Sequence, residues 1–108
     1  MAEKINRENF ERKVLGENKI VLLDFYSDSC VPCKRMSPIL AELEEVYGEN
    51  LLVGKVNIAY ERELAEEYEV SAAPTILFLK KGVLIDRRIG VIKKAELETL
   101  ISKNIESR

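Results

Sequence analysis

Cys30 and Cys33 are the most reactive side chains in the sequence, and no other cysteine occurs among its 108 residues. An amphipathic stretch follows them, so the pair lies at the start of a predicted helix. There the first sulfur lies beside unpaired backbone N–H groups and the positive end of the helix dipole, which favours its thiolate. The second sulfur lies one turn further in. Two neighbouring thiols can attack a disulfide and release the product, so the C-x-x-C spacing predicts a redox centre.

Two other uses of these cysteines are weaker. A zinc site needs about four ligands, whereas the chain offers two sulfurs and no histidine, so only a site shared by two chains would suffice. Inert, buried cysteines are disfavoured because Pro32 and the preceding Asp28-Ser29 are turn and cap residues that keep the first sulfur near the surface. We therefore expect no metal. Without histidine, proton transfer must use thiols, carboxylates, lysines or tyrosines.

Asp24 interrupts the apolar run that precedes the cysteines. It could be a core carboxylate hydrogen-bonded to backbone, or a proton acceptor for the second thiol, and the residues alone leave both open. Desolvation should raise the pKa of Asp24 unless Lys55 or hydrogen bonds offset it, and we expect desolvation to prevail. Lys55 interrupts a second apolar run, and by itself such a lysine is more often one whose stem snorkels along a strand.

The elements that hold these residues follow from hydrophobic periodicity. Apolar runs and turn signals predict strands at 2–5, 20–26, 51–58, 75–79 and 83–88. Helical spacing and capping signals predict helices at 7–15, 30–47, 61–68 and 93–105. The order predicts an α/β fold in which a mixed sheet of four to five strands is flanked by about four helices.

Some side chains are predicted to pack inside. The inward face of the second helix should carry Met36, Ile39, Leu40, Leu43 and Val46. Tyr60 and Tyr68 are interpreted as packing residues.

Composition limits the remaining functions. At 108 residues and 46% hydrophobic, the chain has the size of one compact domain spanning 1–108. Its formal net charge of −2 gives no basic excess for nucleic-acid binding. The N-terminus carries charges where a signal peptide needs an apolar core, and no run is long enough to cross a membrane. Two cysteines three positions apart cannot form a secreted-type disulfide framework. We expect a soluble, cytoplasmic monomer.

Several ordered motifs coincide with those of one known family. They are Asp24 within a buried strand, Cys30-Val31-Pro32-Cys33-Lys34, Pro38, Lys55 in K-V-N-I, Ala73-Pro74-Thr75, Gly82 and Gly90. In these motifs the chain resembles the thioredoxin family, and the resemblance covers essentially its whole length. Four residues depart from the family's pattern, Ser29 and Tyr26 where tryptophans are usual, Val31 in place of glycine and Ala59 in place of aspartate. These departures leave the thiols intact and alter the docking surface.

The resemblance implies the thioredoxin fold and a protein disulfide reductase. In that reaction Cys30 attacks, and Cys33 resolves the mixed disulfide with help from Asp24 as proton acceptor and Lys55 as its electrostatic neighbour. Pro74 could merely end a loop before a strand. The resemblance instead implies a cis bond after Ala73 that presents backbone to an extended substrate.

Further expectations concern substrates and partners. Val31, Pro32 and Gly90 complete the expected substrate-binding residues. The resemblance implies a flavin-dependent, NADPH-fed thioredoxin reductase or a similar electron donor, together with disulfide-containing protein substrates. No bound organic cofactor or metal is needed.

Two rival functions remain open. Loss of the flanking tryptophans is compatible with a binding subunit dedicated to one partner. The same cysteine pair could also act as a disulfide oxidant or isomerase, because the two residues between the cysteines tune the reduction potential.

Overall fold

The computed structural model describes residues 2–106. Its strands are β1 (Glu3–Lys4), β2 (Ile20–Tyr26), β3 (Leu51–Asn57), β4 (Thr75–Lys80) and β5 (Val83–Ile89). Its α-helices are α1 (Arg7–Phe10), α2 (Val31–Tyr47), α3 (Arg62–Glu67) and α4 (Lys94–Glu106). A π-helical turn (Glu11–Leu15) continues α1, and a 3₁₀ turn (Gly48–Asn50) follows α2. The predicted α/β class is confirmed.

The strands form one mixed sheet in the order β1-β3-β2-β4-β5. β2 and β3 are parallel, as are β1 and β3, whereas β4 is antiparallel to both β2 and β5. The carboxyl ends of β2, β3 and β5 and the amino end of β4 therefore meet at one edge of the sheet. We call this the strand-end edge, and Cys30 follows β2 there.

Helices cover both faces of the sheet. Successive side chains of β2 point to opposite faces, so Ile20 and Leu22 enter the core beneath α2 and α4, whereas Val21 and Leu23 enter the core beneath α1 and α3. Asp24 has the same parity as Ile20 and Leu22. Its side chain therefore lies on the α2 face, the face from which Cys33 comes.

Two details differ from the prediction. The helix expected at 7–15 changes to π-type hydrogen bonding after Phe10, and the Gly16 N–H donates to the Glu11 carbonyl, five residues back. The prediction that Val46 packs inside is wrong, because its side chain is 60% exposed. Leu43 and Tyr47, four residues apart, contact the core and turn Val46 outward.

Candidate redox site

The first turn of α2 is capped by a sulfur. Cys30 is the N-cap residue in extended conformation, and its Sγ accepts a hydrogen bond from the Cys33 backbone N–H at 3.1 Å. Pro32 lies within the first turn, where its missing N–H leaves no donor unpaired. The Cys30 sulfur is thus held at the positive end of the α2 dipole, as the C-x-x-C spacing predicts.

The two cysteines form a disulfide and differ in burial. The Cys30–Cys33 bond joins Cα atoms 5.2 Å apart. Cys33 is only 3% exposed, whereas Cys30 is half-buried. The adjacent Val31 and Pro32 are exposed, so an incoming molecule meets the Cys30 side of the disulfide.

Asp24 is fully buried, and neither of its carboxylate oxygens has a hydrogen-bond partner among residues 2–106. The interpretation of Asp24 as a core carboxylate hydrogen-bonded to backbone is therefore wrong. Burial raises its pKa from 3.8 to about 6, and the charge of Lys55 has a smaller effect in the opposite direction. The expectation that desolvation prevails is confirmed.

Lys55 is the register partner of Asp24 on the neighbouring parallel strand. Its ammonium nitrogen donates to Ser37 Oγ at 3.4 Å and lies 4.8 Å from the centre of the Tyr26 ring. Lys55 thus faces α2 together with Asp24, and its half-buried ammonium is held by a hydroxyl and an aromatic face.

A small cleft lies between Lys55 and Cys33. Its volume is about 140 Å³, and it is lined by Tyr26, Ser27, Asp28, Cys33, Lys34, Ser37 and Lys55. Sequence patterns did not single out Ser37, although it lies one helical turn after Cys33 and so shares its face.

Pro74 lies at the same edge of the sheet. The Ala73–Pro74 bond is cis, which confirms the expectation. Thr75, the next residue, pairs with Phe25 of β2, so Pro74 and the loop that leads to Cys30 lie on neighbouring strands. The Gly90 N–H donates to the Pro74 carbonyl at 2.9 Å, and the φ of Gly90 is +91°. The structure therefore brings Ala73, Pro74 and Gly90 to the edge that carries Cys30.

Asn57 ties the loop after β3 to the cysteine loop. Its side-chain Nδ2 donates to Asp28 Oδ2 at 3.3 Å, and its carbonyl accepts the N–H groups of Tyr60 and Glu61. The interpretation of Tyr60 as a packing residue is wrong, since Tyr60 is 75% exposed. The sequence feature that could have predicted its exposure is its position just after the end of a predicted strand, where a turn is expected. Tyr68 does pack, with its ring centre 5.7 Å from that of Phe10.

Within residues 2–106, no group of three or more cysteines and acids is placed to hold a metal ion. No helix in the described part of the chain is long and apolar enough to cross a membrane.

Comparisons with known proteins agree with this geometry. The thioredoxin family model matches residues 1–103. A thioredoxin of Buchnera aphidicola subsp. Acyrthosiphon pisum is 34% identical over 91% of both chains, and one of Acidithiobacillus ferridurans is 34% identical over 94% of both. A thioredoxin of Chlamydia caviae is 36% identical over 96% of this chain and 99% of its own length. The chain therefore belongs to the thioredoxin family, and its Cys30–Cys33 pair makes it a thiol–disulfide oxidoreductase.

Proposed function

We propose that this oxidoreductase works as a reductant of protein disulfides, with Cys30 as the attacking thiolate and Cys33 as the resolving thiol. The observation that carries the assignment is the unequal burial of the pair. Cys30 caps α2 beside the exposed Val31, whereas Cys33 is 3% exposed beneath it. A substrate sulfur can approach the first cysteine and not the second.

The reaction moves two electrons to the substrate. The Cys30 thiolate attacks one sulfur of the substrate disulfide, that S–S bond breaks, and the other substrate sulfur leaves as a thiolate that takes up a proton. Cys33 then loses its proton and attacks Cys30 in the mixed disulfide. The second substrate thiol leaves, and the protein retains the Cys30–Cys33 disulfide.

Asp24 is our candidate acceptor for the Cys33 proton. It lies on the α2 face, and with a pKa of about 6 it is mostly ionised near neutral pH yet still basic enough to accept a proton. The Lys55 charge favours the ionised carboxylate. The cleft of about 140 Å³ is lined by Cys33 and by Lys55, the register partner of Asp24, and has room for a few water molecules beside the Cys33 side chain.

The proposed docking surface for substrate lies at the strand-end edge. Backbone of Ala73, before the cis Pro74, would pair with an extended substrate segment, as in other added-strand complexes. Val31, Pro32 and Gly90 would contact the substrate on either side of the sulfur. The hydrogen bond from Gly90 to the Pro74 carbonyl supports this placement because it holds the two loops together.

Family membership implies an electron donor that restores the dithiol and disulfide-containing substrates. We propose a flavin-dependent, NADPH-fed thioredoxin reductase or a similar donor, and a monomer working in the cytoplasm. A single C-x-x-C pair and no other cysteine in the sequence suit a compartment that keeps thiols reduced.

Insulin reduction driven by dithiothreitol tests the proposed direction. We expect catalysed precipitation of the insulin B chain by the wild-type protein and none by Cys30→Ser. A wild-type protein that binds a disulfide partner without accelerating reduction would instead be a dedicated binding subunit. Equilibration of the Cys30–Cys33 pair against glutathione buffers then separates a reductant from an oxidant or isomerase.

A further inference from the structure

Exposed apolar side chains gather at the strand-end edge. Four of the nine large hydrophobic residues that are exposed within residues 2–106 lie there, namely Val31, Tyr60, Ile89 and Val91. Tyr60 is the most exposed of the nine, at 75%. No hydrogen bond, ring contact or ion pair with the rest of the described chain engages its side chain.

The position of Tyr60 relative to Cys30 follows from the sheet order. Tyr60 follows β3, Cys30 follows β2, Pro74 precedes β4 and Gly90 follows β5, and these four strands are consecutive neighbours. Neighbouring strands lie about 4.8 Å apart, so the row of strand ends spans roughly 15 Å, the length of about four to five extended residues. Tyr60 stands on one side of Cys30 in this row, and Pro74 and Gly90 stand on the other.

Hydrogen bonds fix the Tyr60 turn beside the cysteine loop. The Tyr60 N–H donates to the Asn57 carbonyl at 3.2 Å, while the Asn57 side chain donates to Asp28, two residues before Cys30. The Ile58 N–H also donates to the Tyr26 carbonyl at 2.9 Å. These bonds fix the backbone of the turn, and a tyrosine side chain has few rotatable bonds, so covering the ring costs little conformational entropy.

We propose that Tyr60 is a specificity-determining residue, whose ring binds an apolar side chain next to the attacked cysteine of an extended polypeptide substrate. The inference rests on the proposed function. It names the substrate class as polypeptide disulfides with an aliphatic or aromatic neighbour on the side away from Pro74. The Tyr60 ring is covered by a segment of the substrate because Tyr60 and Cys30 follow neighbouring strands in the same row of strand ends.

Steady-state reduction of insulin is the main test. Tyr60→Ser should raise the KM for insulin roughly five- to tenfold with little change in kcat, as loss of an aromatic anchor does. Hydroxyethyl disulfide has no peptide segment or apolar side chain to place on the Tyr60 ring, so the increase in KM with that substrate should be at least fivefold smaller. Tyr60→Phe should restore the wild-type KM, because the apolar ring is what binds. Val46→Ser, at an exposed valine on α2, is the matched control for loss of exposed apolar area. It should leave the kinetics with both substrates unchanged.

Two results would overturn the inference. One is an unchanged KM for insulin in Tyr60→Ser, and the other is an equal loss with both disulfides, which would indicate altered thiol chemistry. A separate measurement does not need reduction. A peptide with leucine beside a serine in place of the cysteine should shift the Tyr60 ring signals in NMR titrations, and a matched peptide with aspartate at the leucine position should not. Failure of wild-type reduction with a normal peptide titration would refute the proposed function and leave the Tyr60 contact standing.

Discussion

Asp24 and Lys55 lie opposite each other on the parallel strands β2 and β3, yet within residues 2–106 the carboxylate accepts no hydrogen bond and the ammonium donates to Ser37. The pair is therefore coupled through charge without direct contact. A carboxylate left in this state is costly for folding and available for proton transfer.

The first prediction is that Asp24→Asn stabilises the protein near neutral pH. The folded pKa of about 6 exceeds the ordinary value of 3.8, so the native state binds more protons, and stability falls as pH rises from about 4 through 6. Above about pH 6 the free energy of unfolding of Asp24→Asn should therefore exceed that of the wild-type protein by about 1–3 kcal/mol. Urea denaturation of both proteins from pH 4 to 8 measures it. Glu45→Gln, at an exposed carboxylate of α2, is the control for loss of one negative charge. An Asp24→Asn variant less stable at every pH would contradict the prediction.

The same substitution should slow resolution of the mixed disulfide. Without the carboxylate, Cys33 loses its proposed proton acceptor, and general-base assistance typically contributes roughly 10²–10⁴-fold. Attack by Cys30 should change less. Single-turnover reduction with acid quenching separates release of the first and second substrate thiols. Equal slowing of both steps would argue against a proton-transfer role for Asp24.

Unequal reactivity of the two reduced thiols is the third expectation. Cys30 lies at the α2 N-terminus and Cys33 is 3% exposed, so iodoacetamide should alkylate Cys30 much faster. Cys33→Ser should accumulate mixed disulfides through Cys30, whereas Cys30→Ser should trap few. Mass spectrometry after timed alkylation reports both. Equal alkylation rates would reverse the assignment of the attacking thiol.

Removal of the lysine charge should move the titration of Asp24. Since Lys55 lowers the pKa of the buried carboxyl, Lys55→Met should raise that pKa further, and the fall in stability should extend to higher pH. The Asp24 carboxyl carbon signal in an NMR titration follows this directly. Lys103→Met, at an exposed lysine in the last turn of α4, is the control for net charge and should leave the Asp24 titration in place.

A substitution at Gly90 tests the proposed docking surface at the strand-end edge. An added Cβ would meet nothing within 4 Å, but at φ +91° a side chain strains the backbone, so Gly90→Ala should cost about 1–3 kcal/mol. Gly48, at φ +49°, also has open space around it and lies after α2, remote from the sulfurs. Both alanine variants should lower stability in urea denaturation. Only Gly90→Ala should also lower kcat/KM for insulin, and equal activity of the two variants would remove Gly90 from the docking surface.

Local patterns predicted the elements well because apolar runs and caps act over a few residues. Asn6 caps α1 with a reciprocal pair of hydrogen bonds to Asn9, and α2 spans the predicted segment from the residue after Cys30. The cis bond before Pro74 came from the family resemblance. Asp24 was found because one carboxylate in a buried run is conspicuous. The apolar run predicts that the Asp24 carboxylate is buried and therefore desolvated. It does not predict whether that carboxylate accepts hydrogen bonds, because this depends on every element packed around it.

Tyr60 and Val46 show where local patterns fail. Both were predicted to be buried because they are hydrophobic. Their exposure depends instead on which neighbouring residue packs against the core where the element ends. At the end of α2 that residue is Tyr47, whose hydroxyl reaches the Glu98 carbonyl of α4 at 3.2 Å. The turn after β3 is fixed by the side chain of Asn57, a contact across strands that no periodicity encodes.

The seven-residue strand β5 is an outer strand of the sheet, paired with β4 on one side only, and its open side can take part in association between molecules. It begins with the exposed aliphatic residues Val83, Leu84 and Ile85. An open strand of this kind is a template for pairing between molecules, whereas the charges of Asp86, Arg87 and Arg88 in its second half oppose such pairing. Residues 83–85 are therefore the part of β5 most open to pairing between molecules at high protein concentration.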